Sequence, residues 1–73
     1  MSRTAYETLV QYANAMQSRC HEGTVTAQER ATLSVVIRLL RGDSIWEDDM
    51  AQLATDARLI AVVDFLDGAH GYV

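Results

Sequence analysis

Chemistry in a small protein needs a nucleophile, an acid–base group or a metal cluster at workable spacing. Cys20 and His21 are adjacent, which brings a thiol and an imidazole side by side in sequence. On a helix, however, neighbours point about 100° apart and do not converge on one atom. The pair therefore reads structurally, with Cys20 as a small core residue closing a helix and His21 as a cation at that helix's C-terminal end. Two histidines and one cysteine give no recognised zinc spacing. His70 falls in Gly68-Ala69-His70-Gly71-Tyr72, read as a flexible tail (68–73) in which solvent or peptide contact is expected. No glycine-rich phosphate loop is present. The sequence predicts no catalytic residue, no cofactor and no metal site, and hence no enzyme.

The carboxylates say more. Asp43, Glu47, Asp48 and Asp49 crowd around Trp46. They lack the alternating ligands and glycine turn of a calcium loop. One reading is favourable negative charge at a helix N-terminus. The other is an acidic rim around an aromatic anchor of the kind enriched at binding hot spots, suited to a partner that presents arginines or a nucleic-acid-binding groove. Trp46 also fits the apolar stripe of its own segment, so packing into the core competes with the anchor role. Tyr6, Tyr12 and Tyr72 carry the same ambiguity, and Tyr12, off the main stripe of its helix, is expected to be exposed. The expected partner-binding set is Trp46, Asp43, Glu47, Asp48, Asp49 and Tyr12. Charge reversal at Glu47, Asp48 and Asp49 is predicted to weaken binding without unfolding the domain.

Helices must position these residues, and the sequence marks where they start. Thr4-Ala5-Tyr6-Glu7, Thr26-Ala27-Gln28-Glu29 and Ser44-Ile45-Trp46-Glu47 each fit the capping box, in which a hydroxyl and a glutamate satisfy two backbone N–H groups that lack helical partners. Gly23, Gly42 and Gly68 stand where helices should stop, each able to adopt the left-handed conformation. Arg19 and His21 precede the first of these glycines, and Arg38 and Arg41 the second, where cations complement the helix dipole. No proline interrupts the pattern. The spacing predicts helices over about 5–22, 27–41 and 45–67.

The apolar faces follow. The first helix presents Tyr6, Leu9, Val10, Ala13, Met16 and Cys20. The second presents Leu33, Val36, Ile37 and Leu40, flanked by Val35 and Leu39, an arc wide enough to need neighbours on two sides or a second subunit. The third carries Trp46, Met50, Leu53, Ala54, Ala57, Ile60 and Ala61 on one stripe, but beyond Arg58 apolar residues point in nearly every direction. Either the helix breaks near Thr55-Asp56 and restarts at a new angle, or Leu59–Leu66 is enclosed on all sides. The predicted fold is all-α, a bundle of three or four helices that dimerisation could complete.

Seventy-three residues allow one domain, and a chain this short buries only roughly 60% of its unfolded surface. A single cysteine excludes an internal disulfide. A net charge of -4 and a pI near 4.8 argue against direct nucleic-acid binding, which rests on neutralising phosphates. All six basic residues are arginine. No stretch approaches the ~20 apolar residues of a membrane helix, Met1-Ser2-Arg3-Thr4 carries no apolar signal run, and the lone thiol suits a reducing compartment. These readings place the protein in the cytoplasm, away from membranes.

Residues 16–45 resemble part of the small terminase subunit of short-tailed phages. The resemblance lies in Met16-Gln17-Ser18-Arg19, in Gly23-Thr24-Val25-Thr26-Ala27-Gln28-Glu29 and in Arg41-Gly42-Asp43-Ser44-Ile45. It implies a ring-forming, non-enzymatic subunit that hands DNA to a packaging motor. In size and acidity, though in no motif, the chain is also similar to small phage-encoded inhibitors such as anti-CRISPR proteins. That likeness implies a protein that blocks a larger protein or nucleoprotein machine with a basic surface. The sequence favours the inhibitor or regulator reading, with packaging as the alternative.

Overall fold

The computed structural model describes residues 3–70, with side chains as far as Leu66. Tyr72 and the end of the expected tail lie outside the described residues, as does the His70 side chain. Four α-helices follow one another: α1 (Arg3–Glu22), α2 (Ala27–Leu40), α3 (Glu47–Ala54) and α4 (Ile60–His70), with a 3-10 turn at Ala57–Leu59 leading into α4. The all-α bundle is the predicted class. The third predicted helix is in fact two, broken at Thr55-Asp56.

Chain breaks arise from local chemistry. Thr26 caps α2 as a full box: its hydroxyl accepts from the Glu29 N–H at 3.1 Å, and the Glu29 carboxylate accepts from the Thr26 N–H at 3.1 Å. Gly23 and Gly42 end α1 and α2 with φ of 76° and 84°, conformations that cost other residues dearly. Asp56 caps the 3-10 turn by accepting from the Arg58 N–H at 2.9 Å.

Two predicted starts and one stop are corrected. Thr4 lies inside α1, where its carbonyl accepts from the Thr8 hydroxyl, and Glu7 is drawn to the Arg3 guanidinium one turn back. Ser44 does not cap α3; the helix begins at Glu47 with Trp46 in the cap position. Gly68 does not stop α4, which continues to His70, so residues 68–70 are helical rather than tail. A glycine inside a helix costs about 1 kcal/mol, and it ends the helix only where the chain also turns.

The core runs along α1 and is closed by α2 on one side and by α4 with the 3-10 turn on the other. Leu9, Met16, Val36, Leu53, Leu59 and Val62 are fully buried. The buried positions of α1 are Ala5, Leu9, Tyr12, Ala13 and Met16. Tyr6 is instead 52% exposed and Cys20, expected in the core, is exposed at the last turn. The face of α2 is Thr32, Val35, Val36 and Leu39 with Leu33, while Ile37 and Leu40 are only partly buried. Thr32 can occupy a core position because its hydroxyl donates to the Gln28 carbonyl at 3.0 Å and accepts from the Gln52 amide at 2.9 Å. The wide arc of α2 is covered within the chain, by α1 and α3. Leu59–Leu66 is not enclosed: Leu59 and Val62 are buried, but Ile60 and Phe65 are exposed. The break at Thr55-Asp56 separates α4 from α3, and one face of α4 buries Val62 fully and Val63 and Leu66 in part.

Candidate functional site

The residues predicted to meet a partner separate into three groups. Trp46 is 74% exposed, in extended conformation at the turn between α2 and α3. It is not a core residue. Asp43, Glu47 and Asp48 are exposed beside it in sequence, the latter two on the first turn of α3. There they also face the positive end of the α3 dipole, so both sequence readings of the cluster apply together.

Asp49 belongs to the fold. Its Oδ1 accepts from Arg38 Nη2 at 2.6 Å and its Oδ2 from Arg38 Nη1 at 3.3 Å, a two-pronged pair that ties α3 to the last turn of α2. Oδ2 also accepts from the Trp46 N–H at 3.1 Å, the reach-back half of a capping box. The indole has no acceptor with which to make the other half. The Arg38 guanidinium, and after it the Trp46 N–H, hold the Asp49 carboxyl below the usual carboxylate range. This pairing explains why α3 starts two residues later than the serine motif predicts. A carboxylate that meets both a guanidinium and a free N–H outweighs a solvent-exposed serine cap. Charge reversal at Asp49 would therefore disturb the fold, which corrects the prediction that it could be changed freely.

Tyr12 is the third group, and the expectation of exposure fails. The residue is 3% exposed, packed in the core of α1, with the Arg58 guanidinium 4.8 Å from its ring centroid. Burial, and next the nearby Asp56 carboxylate, push its phenol above the ordinary tyrosine range, so it stays protonated. Its hydroxyl is the buried side-chain oxygen left without a hydrogen-bond partner among the described residues. Helical spacing could have found it: Leu9, Tyr12, Ala13 and Met16 share one face, which a hydroxyl-bearing aromatic joins without an evident signal.

Arg19 and Glu29 form a second ion pair that sequence reading missed, linking the C-terminal turn of α1 to the start of α2. The Thr26 N–H, with help from Arg19, keeps the Glu29 carboxyl below its ordinary range. Arg19 also donates to the Thr24 carbonyl at 3.0 Å, so its positive charge serves the α1–α2 turn.

Cys20 and His21 are both exposed at the end of α1, and no cluster of three or more metal-ligating side chains occurs among the described residues. No described helix is long and apolar enough to cross a membrane. Comparison with family models, with curated proteins and with solved structures returned no match to this chain.

Proposed function

We propose that this protein is a non-enzymatic interaction module, a small acidic inhibitor or regulator of the phage-encoded type. It docks the α2–α3 turn on a basic surface of a larger protein or nucleoprotein machine. The observation that carries the reading is Trp46, the most exposed large apolar side chain among the described residues, held 74% exposed between acidic neighbours. An aromatic side chain of this size buries about 150–250 Å² when covered. At about 25 cal/mol per Å² that is roughly 4 kcal/mol of gross gain on binding. Asp43, Glu47 and Asp48 supply a rim whose charge steers and orients an arginine- or lysine-bearing surface. The Arg38–Asp49 pair beneath them fixes the turn, so little ordering entropy is spent on docking. The exposed Ile60 and Phe65 of α4 support self-association as well, with a homodimer as the first expectation.

The test uses the intact protein immobilised in native lysate, with captured partners identified and their affinities then measured one by one. Trp46→Ala, and separately the double change Glu47→Arg with Asp48→Arg, should each weaken the specific partner by about tenfold or more. Helical content should not change. Unaltered affinity in both variants would refute the docking surface. A solution mass several times 8.1 kDa together with DNA retention at low salt would replace it with the packaging-subunit reading. A monomeric mass would remove the self-association component.

A further inference from the structure

We draw no further inference here: the strongest candidate, the open groove between the start of α1 and α4 lined by Thr4, Thr8, Ala61 and the exposed Phe65, carries nothing because nothing in the structure shows what covers it.

Discussion

Tyr12→Phe should make this protein more stable. The substitution deletes one oxygen that is buried, uncharged and unpaired. Thr32 is the side chain near enough to hydrogen-bond the phenol and so pulls its pKa down, but its own hydrogen is committed to Gln28 and it already accepts from the Gln52 amide, so no well-formed hydrogen bond to the phenol results. An unsatisfied buried hydroxyl costs about 1–3 kcal/mol. The phenyl ring keeps its packing and stays under the Arg58 guanidinium, whose centre sits 4.8 Å from the ring centroid, so the cation–π contact survives. Against the gain stands a small void, about the size of one oxygen, which returns a fraction of a kcal/mol. The expected net effect is about 1 kcal/mol of stabilisation, a rise in midpoint temperature of roughly 4–8 °C for a domain of this size. Urea denaturation followed by far-ultraviolet circular dichroism at neutral pH measures it directly. A second signature comes at high pH. With a folded pKa raised above the unfolded value, this group leaves stability unchanged with pH below about pH 10 and lowers it as pH rises from there through the folded pKa. That alkaline decline should shrink in Tyr12→Phe. A loss of more than about 0.5 kcal/mol at neutral pH would show that the phenol has a partner and that the reasoning is wrong.

Other perturbations separate core from surface. Leu53→Ala should cost about 2–5 kcal/mol because the side chain is fully buried where α3 meets the bundle, whereas Trp46→Ala should change urea stability by less than about 0.5 kcal/mol. Gly42→Ala should destabilise by about 1–2 kcal/mol, all of it backbone strain, because φ is 84° and nothing lies near the added methyl; a neutral result in thermal melts would contradict the assigned turn. Stability should fall on acidification. Glu29, Asp49 and Asp56 all have carboxyls held below their ordinary range, so the unfolded chain takes up protons first, and the stabilisation present above about pH 4 is lost as pH drops through the folded values. Urea midpoints that stay flat from neutral pH into this acid range would refute the three pairings.

Much of the helical layout was legible because its signals are local. The Thr26–Glu29 box and the glycines at positions 23 and 42 act through neighbours a few residues away, and each operates as read. The candidate site was only half legible. Asp43, Glu47 and Asp48 are exposed as expected, but Asp49 and Tyr12 are not free for a partner. Nothing in sequence spacing shows that Asp49 meets Arg38 eleven positions earlier, since that encounter depends on how α2 and α3 cross. Trp46 fits the apolar stripe of its segment and so reads first as core, and the later helix start overturns that by leaving it outside the helix and exposed.

The chain alone determined that helices form, roughly where they turn, and that no disulfide can hold them. Those outcomes follow from backbone preferences, capping hydrogen bonds and hydrophobic period, which act over one or two turns. Tertiary packing decided which face each helix buries, choosing Tyr12 over Tyr6 and Thr32 over Leu40. It also decided which carboxylates are spent on arginines and which remain exposed. Those choices depend on contacts between residues distant in sequence, where volume, desolvation and charge are settled together rather than one helix at a time.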